Sequence, residues 1–265
     1  MRLLITGATG FLGNHVVTRL DQADSSDFTV IPWDRQKMGD IRNRERRLTV
    51  LKEHRPDVVL HLAWSSTAHD DYQEDPENSS WGVLGADLLH ECLELGSWYI
   101  AAGSAADVKD EPGYASPYSD AKRYLRSVVE PYALSGQATW LRPQFVVSLA
   151  DQRPRVVRQY FQRPTGTDFR MKNPGAEFDF VEVKDVAQGI ATTIRNGLTG
   201  VVDLGSGYLH SVAQLVAALD SMEGAKQNLI SPIAAPVKSG CVMDRLLRAG
   251  WKPVHTRELF GMSVV

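Results

Sequence analysis

The sequence predicts an α/β protein built on a doubly wound parallel sheet. Over the first 143 residues, short β-type runs alternate with amphipathic runs long enough to form helices. Parallel neighbours in a sheet need long return connections, which such helices provide. The run "VVLHLA" at 58–63 is apolar apart from one histidine, as expected of a strand that is covered on both faces.

The predicted elements follow one another in a regular order. The first part contains strands at "RLLIT", "FTVIPW", "DVVLHLA", "WYIAAG" and "ATWLR", joined by helices over 11–23, 43–54, 78–95 and 117–135. After residue 143 the pattern loosens into loops and short helices. It then predicts a strand at "FDFVEV", a helix over 185–196, a strand at "GVVDLG" and a helix over 211–222. We expect Asp185 to cap the helix that begins there.

The composition argues against several classes of protein. The formal net charge of -3 is spread along 265 residues without a basic stripe, so we expect no nucleic-acid partner. Every apolar run falls short of the roughly 18 residues that a membrane span needs. Cys92 and Cys241 are far apart, and neither they nor the histidines have metal-ligand spacing. We therefore expect no metal, no disulfide and a reducing, cytoplasmic location.

Three glycines stand between the first predicted strand and the first predicted helix, in the stretch "GATGFLG". Gly7 permits a tight turn, Gly10 lets the backbone approach a pyrophosphate, and Gly13 allows the helix to pack closely on the strand. The exposed N–H groups at the helix start then face the diphosphate, with help from the helix dipole. This context predicts a dinucleotide site, and the alternative is an ordinary glycine-rich turn.

An acidic residue follows the second predicted strand. Asp34 comes 21 residues after Gly13, close to the spacing at which an acid binds the ribose hydroxyls of a dinucleotide. This favours NAD. Arg35 could instead pair with the 2′-phosphate of NADP, so NADP remains the alternative. Asp40, with Ile41 beside it, is placed to meet the adenine, although a surface turn would have the same sequence.

A tyrosine and a lysine lie one helical turn apart in "ASPYSDAKRYL". Ser116 is a suitable N-cap and Pro117 a suitable first helical residue, which puts Tyr118 and Lys122 on the same face. A phenol titrates near pH ~10, so it needs a nearby cation to exchange protons at neutral pH, and Lys122 supplies one. The preceding strand ends in Ser104, whose hydroxyl can hold the reacting oxygen.

The order of these motifs along the chain is itself informative. "TGATGFLG", "HLAW", "AGSAA", "YSDAK", "LRP" and "FDFVEVKDVAQGI" resemble the extended short-chain dehydrogenase/reductase family over nearly the whole chain. That family includes nucleotide-sugar epimerases, dehydratases and ketoreductases. The resemblance implies a Rossmann-type doubly wound parallel sheet with a small C-terminal substrate-binding lobe. The NAD(P)-binding domain with the catalytic residues would span 1–143, and 144–265 would mostly form the lobe, with 179–204 returning to the Rossmann core.

The resemblance also implies roles for individual residues. Asp34 would bind the adenosine ribose, and Tyr118 would be the acid/base. Lys122 would anchor the nicotinamide ribose, and Ser104 would hold the substrate. The remaining cofactor contacts would come from the loop and strand ends already described: Gly7, Gly10, Phe11, Leu12, Gly13, Asp40, Ile41, Leu62, Ala63 and Trp64.

The chain departs from the family at positions that bear on the substrate. Ala105 and Ala106 stand where dehydratases of the family carry an Asp-Glu pair, which argues against elimination of water. Phe145 replaces an Asn that often follows "LRP", and Phe178 replaces an Arg that often precedes "DF". The sugar-nucleotide pocket is therefore expected to be atypical.

The expected activity is a ketone/hydroxyl interconversion at C4 of a nucleotide-activated sugar. We favour a 4-ketoreductase, with a 4-epimerase that keeps its NAD tightly bound as the alternative. A dinucleotide-binding regulator without catalysis is a further alternative, although it would be expected to lack one of Ser104, Tyr118 and Lys122. The resemblance also implies a homodimer formed through the helices at 78–95 and 117–135.

Overall fold

The computed structural model describes most of the chain. The described residues are 1–22, 28–65, 72–107, 115–151, 153, 155–164, 167, 169–171, 173–222, 235–236 and 243–262. The chain divides into two compact units. The first unit comprises Met1–Arg142 and Ile190–Val202, and the second comprises Pro143–Gly189 and Asp203–Val265.

A six-stranded sheet forms the centre of the first unit. Its strands are β1 (Arg2–Thr6), β2 (Thr29–Pro32), β3 (Val58–His61), β4 (Trp98–Ala102), β5 (Ala138–Pro143) and β9 (Gly200–Leu204), in the order β2-β1-β3-β4-β5-β9. The pairs β1–β2, β1–β3, β3–β4 and β4–β5 are all parallel. The predicted parallel α/β fold is confirmed.

Helices connect these strands. They are α1 (Phe11–Gln22), α2 (Arg35–Met38), α3 (Arg44–His54), α4 (Glu77–Glu94) and α5 (Pro117–Leu134), with a single 3₁₀ turn at Ala105–Asp107. The short helix α2 was not predicted. Asp34 is its N-cap, because the Asp34 carboxylate accepts a hydrogen bond from the backbone N–H of Gln36.

The strand order places a crevice at the end of β1. The chain leaves β1 to form β2 on one side and then returns to form β3 on the other. At such a switch point the connections diverge above and below the sheet, which opens a binding crevice at the carboxyl ends of the two strands. The carboxyl ends of β1 and β3 lead into the glycine stretch and into Leu62–Trp64, so both predicted cofactor segments lie at this crevice.

Helices α4 and α5 lie against each other on the sheet. The side chain of Leu125 on α5 packs directly on Gly85 of α4, where an added Cβ would lie 2.7 Å from it. Leu125 and Val129 of α5 are fully buried in the same core as Tyr99 of β4. This packing holds α5, which carries Tyr118 and Lys122, in a fixed position on the sheet.

The second unit contains two small sheets. A two-stranded sheet pairs β6 (Phe145–Val147) with β8 (Phe180–Glu182), and a three-stranded sheet has the order β11-β10-β7, with β7 (Glu177–Phe178), β10 (Tyr208–Ser211) and β11 (Ala235–Pro236). Its helices are α6 (Val156–Phe161), α7 (Val183–Arg195), α8 (Val212–Met222), α9 (Asp244–Arg248) and α10 (Val254–Leu259), of which α7 continues into the first unit.

The stretch "FDFVEV", predicted as one strand, is divided at Asp179. On one side β7 pairs with β10, and on the other β8 pairs with β6. The buried Asp179 carboxylate accepts hydrogen bonds from the backbone N–H groups of Ser206 (2.6 Å) and Gly207 (3.1 Å). Residues up to Gly189 belong to the second unit, and Ile190–Val202 belongs to the first. The predicted return of 179–204 to the Rossmann core stays a prediction.

The prediction that Asp185 caps its own helix is wrong. Helix α7 begins at Val183, so Asp185 lies inside the first turn. Its carboxylate accepts hydrogen bonds from the backbone N–H groups of His255 (3.1 Å) and Thr256 (2.6 Å). These groups belong to the first turn of α10, so Asp185 caps a helix that lies 70 residues further along the chain.

Two properties of the described residues bear on the class of protein. Within these ranges, none of the helices combines the length and apolar character that crossing a bilayer requires. Cys92 is buried with a free thiol, and Cys241 lies outside the described residues.

Candidate active site

The glycine turn between β1 and α1 is packed backbone against backbone. Gly7 has a positive φ of 69°, and an added Cβ would lie 2.6 Å from the backbone nitrogen of Ala63. An added Cβ on Gly13 would overlap the carbonyl oxygen of Gly7 and lie 2.8 Å from the Cα of Ala8. The N–H of Gly10 donates to the carbonyl of Gly7 at 3.0 Å. Side chains at 7 or 13 would therefore fill the turn.

A buried hydrogen-bond network joins the ends of β1 and β3. The Thr6 hydroxyl lies 2.8 Å from Nδ1 of His61 and accepts the N–H of Ala63 at 3.2 Å. The N–H of Leu62 donates to the carbonyl of Thr6 at 3.1 Å. Burial lowers the pKa of His61 to about 3, with smaller contributions from the charges of Lys122 and Arg47, so the imidazole is neutral at physiological pH. His61 therefore supports the crevice and does not act as a base.

The crevice suits the diphosphate of a dinucleotide. The first-turn N–H groups of a helix have no acceptor within the helix, and the helix dipole favours an anion there. In α1 these N–H groups come from the segment that includes Leu12 and Gly13, which follows the turn from Gly7 to Gly10. The five predicted diphosphate residues, which include Phe11, are thus contiguous at one edge of the sheet. Their contacts with a cofactor stay a prediction.

Asp34 and Arg35 follow β2 but have different surroundings. Asp34 uses Oδ1 to accept the N–H of Gln36 at 2.8 Å and lies 3.9 Å from the ammonium of Lys37. The Arg35 side chain is 74% exposed and pairs with Asp40 at 2.8 Å. The arginine that could have served a 2′-phosphate is thus engaged by a carboxylate of its own chain.

Asp40 and Ile41 are held in place by arginines. The Arg42 guanidinium hydrogen-bonds to the Asp40 carboxylate at 2.8 Å and holds its pKa at about 2. The Ile41 side chain is 7% exposed and belongs to the core of the first unit. Its carbonyl accepts a hydrogen bond from the buried Arg47 at 3.0 Å, and Arg47 in turn forms a bidentate pair with Glu91 of α4. The contact of Asp40 and Ile41 with the adenine stays a prediction.

The Lys122 ammonium is enclosed at the start of α5. Its Nζ donates to the carbonyl of Ala102 at 2.7 Å and lies 3.4 Å from the centre of the Trp64 indole, over the ring face. An ammonium over an aromatic face is stabilised by the ring quadrupole. The residue is 4% exposed, and burial lowers the pKa of Lys122 to about 7, against an opposing effect of Asp107.

Tyr118 lies between two aromatic rings. It makes edge-on contacts with Trp64 (ring centres 5.9 Å apart) and Tyr72 (5.2 Å), and its ring centre is 5.7 Å from Nζ of Lys122. Ser116 begins the helix with a reciprocal capping box that includes Ser119, as the sequence predicted for its N-cap role. The cap and the aromatic contacts fix the turn that carries both Tyr118 and Lys122.

Ser104 lies just beyond β4. Its hydroxyl oxygen accepts the N–H of Ala106 at 3.2 Å, which leaves the hydroxyl hydrogen able to donate to a substrate oxygen. Since Lys122 is bonded to Ala102, two residues before Ser104, the first unit brings Ser104, Tyr118 and Lys122 to one strand end.

The family of the chain follows from its sequence together with this site. The sequence profile of the NAD dependent epimerase/dehydratase family matches residues 3–205, which span the glycine turn, β3, the Ser104 strand and α5. The chain belongs to this family. The proteins of this family are enzymes, and the catalytic roles of Ser104, Tyr118 and Lys122 stay a prediction.

Individual relatives of this family are distant in sequence but similar in fold. The UDP-glucose 4-epimerase of Neisseria meningitidis serogroup A / serotype 4A is 23% identical over 286 residues, covering 84% of this chain and 82% of the relative. The structure of Thermus thermophilus UDP-glucose 4-epimerase in complex with NAD is 24% identical, with a TM-score of 0.70 and coverage of 96% and 94%. GDP-mannoheptose C4 reductase from Campylobacter jejuni with NADP bound is 15% identical, with a TM-score of 0.74 and coverage of 95% and 93%.

Sequence reasoning missed a group of residues around Ser104. Asp107 accepts hydrogen bonds from the indole N–H of Trp140 (2.7 Å), from Arg126 (3.1 Å) and, at 3.4 Å, from the N–H of Ser104. The short Ser-x-x-Asp spacing was a signal that could have pointed to Asp107. Trp140 lies 33 residues further along the chain, and no local sequence pattern predicts its hydrogen bond to Asp107.

Proposed function

We propose that this protein is an NAD(P)-dependent oxidoreductase that interconverts a ketone and a hydroxyl at C4 of a nucleotide-activated sugar, and that it works as a 4-ketoreductase. The observation that carries the proposal is the position of the Lys122 ammonium. It lies 2.7 Å from the carbonyl of Ala102, close to Ser104 in sequence, and 5.7 Å from the ring centre of Tyr118. This arrangement suits proton transfer to a carbonyl oxygen.

The chain's own residues have separate roles in this reaction. A bound reduced nicotinamide, as in NADH or NADPH, would supply the hydride that reduces the carbonyl carbon and would itself be oxidised. Tyr118 donates its proton to the ketone oxygen, and Lys122 stabilises the resulting phenolate by its positive charge. Ser104 donates a hydrogen bond to the same oxygen and orients the carbonyl. Trp64 covers one side of the ammonium and limits its contact with water.

We propose NAD as the preferred cofactor, with NADP as the alternative. Asp34 follows β2, and one of its carboxylate oxygens is used by the cap of α2. The other can accept hydrogen bonds from ribose hydroxyls, and its charge would repel a 2′-phosphate. Arg35 is paired with Asp40, which weakens the argument for NADP. Solved structures with this fold include complexes with NAD and with NADP.

Asp34→Asn is expected to lower the affinity for NAD by about 10-fold or more, because a hydrogen bond to a charged group contributes about 1.5–3 kcal/mol. Asparagine keeps the oxygen that caps α2, so the helix should persist. Affinity for NADP should rise as the repulsive charge is lost. Calorimetric titration with both cofactors measures this, and Asp21→Asn on α1 is the matched control. Equal NAD affinity in the Asp34 variant and the control would contradict the ribose role.

We propose that residues 144–265 form most of the substrate lobe and accept a nucleotide sugar. A solved structure of this fold, the UDP-glucose 4-epimerase of Thermotoga maritima, contains UDP-glucose. In the second unit, Phe145 and Phe178 pack together with ring centres 4.0 Å apart. The two positions at which the family resemblance implies polar residues are therefore neighbours in this chain. This apolar pair supports a sugar-nucleotide pocket that differs from the usual one.

A 4-epimerase is the second candidate, because the curated relatives include UDP-glucose 4-epimerases. Reduction and epimerisation share one half-reaction, but only a reductase releases oxidised cofactor. The test supplies a nucleotide-activated 4-ketosugar with NADH or NADPH and follows cofactor oxidation against sugar product. We expect one cofactor to be oxidised for each sugar reduced. Conversion of a nucleotide hexose to its 4-epimer without net cofactor oxidation would indicate the epimerase instead.

Neither a dehydratase nor an inactive regulator is favoured. Ala105 and Ala106 offer no acid or base beyond Tyr118 for elimination of water. A regulator would bind the dinucleotide but would convert neither the 4-ketosugar nor the nucleotide hexose in the test described above.

We also propose a cytoplasmic homodimer. Helices α4 and α5 carry large apolar side chains that are about half exposed in the single chain, Val83 at 50% and Tyr124 at 47%. Burial of such side chains between two copies of the helix pair would remove them from water.

A further inference from the structure

The short segment that follows β4 is held from several directions. Gly103 lies against the indole of Trp140, where an added Cβ would be 2.5 Å from the ring nitrogen. The N–H of Gly103 donates to the carbonyl of Leu141 in the neighbouring strand at 2.6 Å. On the far side of Ser104, the 3₁₀ turn ends in Asp107, which is 1% exposed. Ser104 is thus enclosed by a segment with little freedom to move.

Asp107 joins this segment to two other elements. Its Oδ2 accepts the indole N–H of Trp140 on β5 at 2.7 Å and the N–H of Ser104 at 3.4 Å. Its Oδ1 accepts Arg126 on α5 at 3.1 Å and lies 3.9 Å from Arg142 on β5. Burial raises the pKa of Asp107 above its usual value, and the indole donor and the two guanidinium groups oppose this rise because they favour the ionised carboxylate.

Helix α5 forms hydrogen bonds with both ends of the segment from Ala102 to Asp107. Lys122 and Arg126 are four residues apart and therefore share a face of the helix. Lys122 binds the carbonyl of Ala102 before Ser104, and Arg126 binds the carboxylate of Asp107 after it. Tyr118 lies one turn before Lys122 on the same helix. A shift of the Asp107 turn would therefore alter the distance between Ser104 and Tyr118.

We propose that Asp107 is a positioning residue of the active site, which holds Ser104 in register with Tyr118 and keeps Lys122 in its charged ammonium form. The proposal rests on the proposed function, since it assigns Asp107 to the same proton-transfer site. The Asp107 carboxylate binds Trp140, Arg126 and the N–H of Ser104, so we assign it a role that acts through Ser104 and Lys122.

The electrostatic part of the proposal follows from the groups around Lys122. His61 faces it from β3 as a neutral imidazole, Trp64 covers it, and Tyr118 lies on its own helix. Burial lowers the pKa of Lys122 to about 7, while the negative charge of Asp107 raises it. Removing that charge should lower the pKa of Lys122 further. The lysine would then be mostly neutral at pH 7, and the phenolate of Tyr118 would lose its stabilising cation.

The first test measures Lys122 directly and needs no substrate. Protein labelled with ¹³C at the lysine side chains is titrated by NMR, and the Lys122 signal is identified by its loss in Lys122→Met. We expect the midpoint in Asp107→Asn to fall by about one pH unit or more below that of the native protein. Asp107→Glu, which keeps the charge, should titrate near the native midpoint. An unchanged midpoint in Asp107→Asn would overturn the electrostatic role.

Controls separate this effect from a general loss of stability. Trp140→Phe removes one hydrogen bond to Asp107 but not the charge, so the Lys122 midpoint should stay near the native value. Should Asp107→Asn fail to fold, Asp107→Ser carries the same charge test with a shorter side chain that can still accept the Ser104 N–H. A failure to bind NAD or NADP would contradict the proposed function, and the NMR titration would still decide the role of Asp107.

The second test uses turnover. We expect Asp107→Asn to lower kcat more than it changes KM, and to lower it more at pH 8 than at pH 6, because Lys122 keeps its proton only at the lower pH. Asp107→Glu should restore the native pH profile. A loss of kcat by the same factor at every pH, with a native Lys122 midpoint, would show a structural role only and overturn the proposal.

Discussion

Tyr118→Phe is expected to lower kcat by about 10²–10⁴-fold, the range that a positioned acid or base contributes. Phenylalanine keeps the ring that contacts Trp64 and Tyr72 and loses only the hydroxyl, so the fold of α5 should persist. Cofactor affinity should change by less than about threefold, which corresponds to less than about 1 kcal/mol. Steady-state kinetics with a nucleotide-activated 4-ketosugar and calorimetric titration with NAD measure the two effects.

The matched control for this change is Tyr124→Phe. Tyr124 lies on the same helix but is 47% exposed. Its hydroxyl has no place in the proposed proton transfer, so kcat should remain near that of the native protein. Native turnover in Tyr118→Phe would remove Tyr118 from the mechanism, and an equal loss in both variants would point to a general effect on the helix.

Gly13→Ala is expected to weaken cofactor binding by about 10- to 100-fold and to destabilise the fold. The added Cβ would overlap the carbonyl oxygen of Gly7, so α1 must move away from the turn. Overpacking of this kind costs about 1–3 kcal/mol. Because the same movement displaces the first-turn N–H groups of α1 from the turn at Gly7, the site for the diphosphate should be lost along with the stability.

Gly175→Ala is the control for this second change. Nothing lies within 4 Å of an added Cβ at Gly175, and its φ lies outside the positive range that disfavours alanine. The free energy of unfolding should therefore stay within about 0.5 kcal/mol of the native value. Urea unfolding and titration with NAD give both quantities. Native NAD affinity in Gly13→Ala would mean that the diphosphate does not depend on the contact between α1 and the glycine turn.

Tyr118→Phe and Gly13→Ala change two parts of the site that are in contact with each other through the segment after β3. The glycine turn lies at the carboxyl end of β1, where the order of strands reverses, and it is joined to β3 through Thr6 and Ala63. Tyr118 is held by α5 and touches Trp64, which directly follows Ala63. The segment after β3 is therefore in contact with both the turn and the tyrosine. Gly13→Ala should therefore lower cofactor affinity while Tyr118 remains in place, and Tyr118→Phe should lower kcat while cofactor affinity remains near native.

Much of the fold could be predicted from the sequence, because interactions between residues close in sequence determine its strands, helices and tight turns. The alternation of strand and helix runs predicted β1 to β5 and the helices α1, α3, α4 and α5, with ends that differ by a few residues from those observed. The glycine stretch was recognisable because only residues without a side chain fit its turn. The Tyr118–Lys122 pair was recognisable because residues four apart share a helix face.

Parts of the fold could not be read in this way. The helix α2 depends on a single cap at Asp34, which is too short a signal to outweigh a loop prediction. The stretch "FDFVEV" has the pattern of one strand, but its two halves pair with different partners. Asp185 has the sequence context of a local N-cap, whereas its carboxylate binds N–H groups of α10. For the divided strand and for Asp185, the deciding partner is distant in sequence.

The sequence by itself determined the parallel sheet, the glycine turn between β1 and α1, and the presence of a serine, a tyrosine and a lysine at one sheet edge. These follow from side-chain size and from the periods of helix and strand, which act between near neighbours. Only the tertiary structure decided that Trp64 covers Lys122 and that Asp107 meets Trp140 and Arg126 behind Ser104. Such contacts depend on how α5 and β5 lie against the end of β4, a geometry that packing of the whole unit sets.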